Sequence, residues 1–232
     1  MVIIMKLIRQ LKGLTKFEFG LWLASVLVVT VSFFISGDTE ILNLIASLVG
    51  VTSVIYISKG YVLGEIINII FSILYGIVSI KFRYYGEMMS YLLMAIPMSL
   101  IAIVSWFKHP YKDSDEVKVG KVTKFHIIMM SISSIVVTIL FYFILKYFNT
   151  ANLIISTISI FTSFVAAYLT YLRSEYYAVA YGLNDIVLIV LWILASIENI
   201  SYLPIVFCFV MFLANDTYGF INWLIMKNRQ KE

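Results

Sequence analysis

The sequence predicts an all-α polytopic membrane protein with about eight transmembrane helices, and three observations carry that reading. The 232 residues are 62% hydrophobic and 13% charged, with a mean hydropathy of +0.97, whereas soluble domains are about 45–50% apolar and about 25% charged. Long apolar runs recur from end to end, most approaching the roughly 20 residues that a helix needs to cross hydrocarbon. The basic residues divide unevenly between the two sides that such spans define.

The elements follow in order. The start MVIIMKLIRQLKGLTKFEFG is basic and amphipathic, and no small-residue cleavage site precedes a mature domain. It reads as a cytosolic lead-in rather than a helix lying on the membrane. Residues 1–40 hold this lead-in and an extra first helix, 17–36. A first three-helix bundle, 41–107, contains spans 41–58, 62–80 and 86–107. A cytosolic loop and a linking helix, 124–147, fill residues 108–150. A second bundle, 151–226, contains spans 151–171, 176–196 and 202–226, and a cytosolic tail closes the chain at 227–232. The joints SGDTE, SKGY, KFRYYGE, NTAN, LRSE and SIENIS carry breaking or capping residues. Pro97, in LLMAIPMSL, removes a backbone donor within its span and reads as a gating joint or a static bend.

With both termini inside, the inner side holds fourteen basic residues: Lys6, Arg9, Lys12, Lys16, Lys59, Arg173, the five lysines of 108–124 and three in the tail. The outer side holds Lys81, Arg83 and Lys146. This asymmetry argues for an even number of spans with both ends cytosolic. The formal charge of +4 is therefore spread along inner membrane edges, and the mixed-charge loop 108–124 reads as solvated rather than nucleic-acid binding.

Several chemistries lack their residues. Cys208 is the single cysteine, and His109 and His126 form no HxxxH pattern, so neither a metal site nor a disulfide is expected. There is no Walker A, Rossmann, HExxH or GxSxG motif, no regular arginine run for a voltage sensor and no TVGYG-like filter. No enzyme and no cofactor is expected.

An internal echo organises the spans. NLI begins at Asn43 and again at Asn152, and the Thr-Ser pairs start at Thr52 and Thr162. Each copy heads three spans, with one span between, which suggests a 3+1+3 core. The single linking span restores direction, so the triplets run parallel, an arrangement that builds transporters with a path at the repeat interface.

Polar stripes point into that interface. Glu65, Asn68, Ser72, Tyr75 and Ser79 make one face of the third span, beside Gly64 and Gly76, which allow close helix approach. Tyr177, Tyr181, Asn184, Leu188 and Trp192 line one face of the seventh, with Asp185 beside it. Asn215, Tyr218 and Asn222 recur on the eighth, flanked by Asp216 and Trp223. Aromatic area with an Asn amide suits a flat heterocycle with hydrogen-bonding edges. Each residue also has a structural reading: polar groups join transmembrane helices, and Trp106, Trp192 and Trp223 sit where interfacial anchors sit. Carboxylates such as Glu65 and Asp185 are costly in lipid and usually functional, although Glu65, near its span's start, could simply reach headgroup water.

Together, GEIINIIFSILYGIVSIKFRYYGEMM at 64–89, AIPM at 95–98, SEYYAVAYGLNDIVLIVLW at 174–192 and NDTYGFINW at 215–223 resemble the PnuC family of vitamin and nucleoside transporters over about residues 41–226. The resemblance implies the 3+1+3 core with an additional first helix, in a bacterial inner membrane. It implies uptake of nicotinamide riboside, or of a deoxyribonucleoside, thiamine or riboflavin, without an ion motor. A cytosolic kinase would trap the substrate by phosphorylation, and a homotrimer with one path per chain is compatible with it. The nicotinamide riboside type carries a pattern similar to W-x-x-W-x-x-x-[ND] in the penultimate helix. Tyr177, Ala180 and Asn184 match it here, so both tryptophans are replaced, unless Tyr181 serves as the second aromatic wall.

The expected mechanism is alternating-access facilitation of nicotinamide riboside or a related ring-bearing vitamin or nucleoside. Tyr177 and Tyr181 are expected as aromatic walls. Asn68, Asn184 and Asp185 would read sugar or base, Tyr75 and Asn215 would support them, and Trp192 would contact the ring. The rival readings are a deoxyribonucleoside or thiamine facilitator, a proton-coupled symporter using Asp185 or Glu65, and a non-transport membrane scaffold.

Overall fold

The computed structural model describes residues 2–37, 40–81 and 84–231. In order come α1 (Val2–Leu11), α2 (Lys16–Ser36), α3 (Ile41–Ser58), α4 (Val62–Lys81) and α5 (Tyr85–Met89), which a π-helical turn (Ser90–Ala95) joins to α6 (Ile96–Lys108). Then follow α7 (Lys124–Tyr147), α8 (Leu153–Tyr171), α9 (Tyr177–Glu198) and, after a 3-10 turn at Ile200–Tyr202, α10 (Leu203–Arg229). With Tyr85–Lys108 taken as one, eight helices among the described residues are long and apolar enough to cross a bilayer. The chain is a multi-pass membrane protein. Asp38 and Thr39 of the first turn, and Arg83 of the outer basic set, lie outside the described residues.

Local chemistry fixes the helix ends. Thr15 and Glu18 form a capping box at the start of α2, and Thr123 and His126 form one at the start of α7. Gly37 closes α2 at φ 66°, where a side chain would be strained. Pro97 lies in the first turn of α6, where a proline's missing N–H is tolerated. The bend expected there is taken up just upstream, by the π turn, in which Ile96 N donates to Tyr91 O.

Six of the spans close a ring. α3 packs on α4, α4 on α6, α6 on α8, α8 on α9, α9 on α10, and α10 returns to α3. Exchanging α3, α4 and α6 for α8, α9 and α10 maps this ring onto itself. The ring is tight where glycine replaces a side chain: a Cβ on Gly64 would lie 2.4 Å from Ile57 N. α2 lies outside the ring against α3 and α10, and α7 packs mainly on α8. The outward faces of α2 and α7 expose Leu27, Phe34, Ile132, Ile139 and Phe143 among others, as a hydrocarbon solvent permits.

The end of the bundle that carries both chain termini is closed by polar ties. The lead-in forms α1, and it is docked: buried Gln10 accepts from Leu63 N (3.1 Å) and donates to Asp115 O (2.8 Å). The loop after α6 folds across this end. Val117 N donates to Gly60 O (2.9 Å), Val119 N to Gln230 Oε1 (2.7 Å) and Gly120 N to Arg173 O (2.8 Å). The loop expected to be solvated thus buries Val117 against Trp106, Trp223 and Met226. Lys59 Nζ binds Glu18 Oε2 at 2.8 Å, and Tyr218 donates to the other oxygen of the same carboxylate at 2.6 Å. Glu175 pairs with Lys227, and Glu116 with Arg229.

The tryptophans depart from the interfacial reading. Trp106, Trp192 and Trp223 are each 0% exposed. Trp106 Nε1 donates to Thr170 O (2.9 Å) and Trp223 Nε1 to Ile57 O (3.1 Å). Buried indoles need such acceptors, and neighbouring helix ends supply them to Trp106 and Trp223.

Candidate functional site

A cavity lies at the middle of the six-helix ring. Its walls include Asn68 and Phe71 of α4, Ser90, Tyr91 and Met94 of the π turn, and Ser163 and Ala167 of α8. α9 contributes Tyr177, Tyr181, Asn184 and Asp185, and α10 contributes Phe209, Phe212 and Asp216. Both triplets therefore build it. Among the lining residues there is no lysine, arginine or histidine.

The polar groups are held in defined ways. Asn184 Oδ1 accepts from Thr162 Oγ1 at 2.8 Å and from Ser163 Oγ at 2.9 Å. With the oxygen so occupied, the two Nδ2 donors are what Asn184 offers the cavity. Asn68 Nδ2 donates to Ser99 Oγ at 3.0 Å. Asp185 and Asp216, both buried, face one another from α9 and α10 within side-chain hydrogen-bonding range. Apart from that contact, Asp185 Oδ2 has no protein partner. Two carboxyls taken out of water with no basic residue beside them are costly to keep charged.

Aromatic layers lie on either side of the cavity along the helix axes. Trp223 and Asp216 are seven residues apart on α10, as are Trp192 and Asp185 on α9, or about 10 Å at 1.5 Å per residue. Toward the termini, Tyr177 meets Trp223 at a ring-centroid distance of 4.9 Å, and Trp223 meets Trp106 at 5.5 Å. Toward the opposite end, Trp192 meets Tyr84 at 5.0 Å, Tyr202 at 5.7 Å and Tyr75 at 6.0 Å. The enclosed space is about 60 Å³, against about 300–1,000 Å³ for ligand pockets. A ring-bearing ligand therefore needs the walls to part.

Of the residues singled out from the sequence, Asn68, Tyr177, Tyr181, Asn184 and Asp185 line the cavity. Three do not. Trp192 and Tyr75 belong to the far aromatic layer, the Tyr75 ring tilted against Tyr91 at a centroid distance of 4.5 Å. Asn215 turns away from the cavity: its Nδ2 donates to Ser25 Oγ (2.9 Å) on α2 and to Met211 O (2.7 Å). Glu65 is buried beside Ser99, outside the lining, and does not reach water. Sequence reasoning passed over Asp216, Tyr91, Phe71 and Phe212. Asp216 had a signal, since a second carboxylate in a span is as costly as the first, but it was read as flanking Asn215.

Comparison with known proteins agrees with this architecture. A family model described as nicotinamide mononucleotide transporter matches residues 40–225. The nicotinamide riboside transporter PnuC of Neisseria mucosa is 29% identical over 222 residues, which cover 94% of this chain and 84% of that protein. A crystal structure titled as the vitamin B3 transporter PnuC superposes with a TM-score of 0.83 at 29% identity, covering 96% of this chain and 97% of the other. With the family model matched across the six-helix ring but for the last turn of α10, the chain belongs to the nicotinamide mononucleotide transporter family, the PnuC family.

Proposed function

We propose that this chain carries nicotinamide riboside, or a closely related ring-bearing vitamin or nucleoside with a fixed positive charge, across the membrane by facilitated diffusion. One observation carries the preference for a cation: the Asp185–Asp216 carboxyl pair lies in an aromatic cavity without a basic lining residue. The pyridinium of nicotinamide riboside offers a flat ring with a fixed positive charge. Tyr177, Tyr181 and Tyr91 offer faces for it, the carboxyl pair offsets its charge, and the Asn184 and Asn68 amides meet carboxamide or sugar. Thiamine, also a ring cation, is the next substrate on this ground, and a neutral deoxyribonucleoside ranks below both.

In the proposed cycle, the triplets α3–α6 and α8–α10 rock about the cavity and open the two aromatic layers in turn. A facilitator of this kind equilibrates its substrate, so net uptake needs a sink; phosphorylation by a cytosolic kinase supplies one. The excess of basic residues at the terminal end supports an inner-membrane orientation with both termini cytosolic. The outward apolar face of α7 is available for a homotrimer.

Thermal stabilisation of purified protein tests the reading, with nicotinamide riboside, thymidine, deoxyadenosine, riboflavin and thiamine on wild type and Asn184→Ala. Nicotinamide riboside should raise the wild-type melting temperature and leave Asn184→Ala unshifted. Stabilisation by thymidine or deoxyadenosine alone would replace the proposed substrate.

The buried carboxyls favour one rival specifically, a proton-coupled symporter. Collapsing the proton gradient in vesicles should leave downhill nicotinamide riboside exchange and its equilibrium level unchanged. Loss of concentrative uptake on collapse would establish coupling instead.

A further inference from the structure

A second concavity lies apart from the central cavity, at the terminal end and on the outside of the ring. It is a groove of about 530 Å³ between the ends of α6 and α8 and the start of α7. Its floor is Leu100, Ile101 and Val104, all exposed on the outer face of α6. Its rim is Lys108, Lys121 and Arg173, with His109 and His126. No carboxylate lines it.

The rim is built rather than incidental. Arg173 sits at φ 58°, a left-handed conformation uncommon for a side-chain-bearing residue. It is locked there by three contacts: Nη1 to Ser105 Oγ (2.7 Å), Nη1 against His109 Nδ1 (2.8 Å) and Nε to Lys118 O (3.1 Å). Gly120 N holds the Arg173 carbonyl, and a Cβ on Gly120 would fall 2.0 Å from Leu172 O. The guanidinium is half-buried without a carboxylate counter-ion among the described residues, and burial pulls its pKa below the ordinary arginine value. Among the described residues, neither Lys108 nor Lys121 makes an ion pair. Elsewhere at this end Lys59 pairs with Glu18, Lys227 with Glu175, Arg229 with Glu116 and Arg9 with Asp115. Arg173, Lys108 and Lys121 converge on this one groove instead.

The depth of the groove identifies the occupant. Leu100 lies eight residues below Lys108 on α6, or about 12 Å at 1.5 Å per residue. Cations at a membrane edge above an apolar channel of that length match a phosphate headgroup with the first part of an acyl chain. A soluble anion would leave the apolar floor unused.

We infer that this groove is a binding site for an anionic phospholipid, its phosphate held by Arg173, Lys108 and Lys121 and its acyl chain laid along Leu100, Ile101 and Val104. Because the joint between α8 and α9 forms one wall, a bound lipid would brace the helix that carries Tyr177, Asn184 and Asp185. The inference rests on membrane insertion, not on the identity of the transported substrate.

The test is thermal unfolding and native mass spectrometry of the full-length protein in detergent with phosphatidylglycerol, cardiolipin, phosphatidylcholine or inorganic phosphate. Wild type is compared with Arg173→Gln and with Lys108→Gln/Lys121→Gln. The double variant leaves the hydrogen bonds of Arg173 intact, so it keeps the test valid if Arg173→Gln fails to fold. The expected result is an upward shift with phosphatidylglycerol or cardiolipin, a retained lipid adduct, and at least half of that shift lost in the double variant. Equal stabilisation by phosphatidylcholine, or an undiminished shift in the double variant, would overturn the site. A full shift from inorganic phosphate alone would overturn the lipid as its source.

Discussion

Asn215 and Asp216 are neighbours in sequence with opposite tasks. Helical geometry turns adjacent side chains by about 100°, so one faces α2 and the other the cavity. Replacing Asn215 by Ala should remove the bond to Ser25 and cost about 0.6–2 kcal/mol, the usual range for a polar contact between membrane helices. Thermal unfolding should register that loss, while the affinity for nicotinamide riboside stays within about twofold of wild type. Asp216→Asn should behave in the reverse way. It keeps shape and removes charge, so binding of the cationic riboside should weaken at least about tenfold, or about 1.4 kcal/mol. Binding of the neutral 1,4-dihydro form should be unchanged. Calorimetry with both ligands separates the two roles. Equal losses for the charged and neutral ligands would remove the carboxyl pair as a reader of charge.

At the scale of elements, periodicity made the spans readable and said little about which polar residues face inward. The 3- and 4-residue stripes on α4 and α9 located faces correctly as faces, but Tyr75 and Trp192 lie one to two turns beyond the cavity on those same faces. Depth along a helix is set by where partner helices bring their own side chains, which spacing within one helix cannot report. Tyr91 and Met94 were hidden for a different reason. They face the cavity from a π turn, where the i to i−5 pattern rotates the register that a 3.6-residue period assumes. That turn ends two residues before Pro97, whose missing N–H cannot bond the carbonyl four residues back. Pro97→Ala restores the donor and should let the segment relax to a regular α-helix. The melting temperature should then rise or hold, while the uptake rate falls at least several-fold because Tyr91 and Met94 leave their places. Unchanged uptake would make the π turn a packing detail. The loop 108–124 shows the same limit of composition: its charges read as solvent-exposed, yet Asp115 pairs with Arg9 of α1 and Glu116 with Arg229 of α10.

For the whole molecule, the 3+1+3 reading came from a short echo, and the ring of contacts, in which α3, α4 and α6 exchange with α8, α9 and α10, is compatible with it. The two ends of that ring are not equivalent. Toward the termini, Glu18, Lys59 and Tyr218 tie α2, the α3–α4 joint and α10 together beneath the Trp106–Trp223–Tyr177 layer. Among the described residues, the opposite end is closed mainly by rings, Tyr84, Trp192 and Tyr202. A buried ion pair strongly resists removal of one partner, at about 3–5 kcal/mol, but neutralising both partners costs far less. The double change Glu18→Gln/Lys59→Gln should therefore keep the fold and loosen the terminal-end closure selectively. A reporter is available at Ser58, which is buried below that closure and bonds Asn215 O at 3.2 Å. With Cys208→Ser as background, Ser58→Cys should be alkylated slowly by an impermeant maleimide supplied from the terminal side. Adding the Glu18→Gln/Lys59→Gln change should raise that rate at least about tenfold, and the same reagent from the opposite side should gain nothing. Equal gains from both sides would mean that the bundle had loosened as a whole, and that the tie closes no single gate.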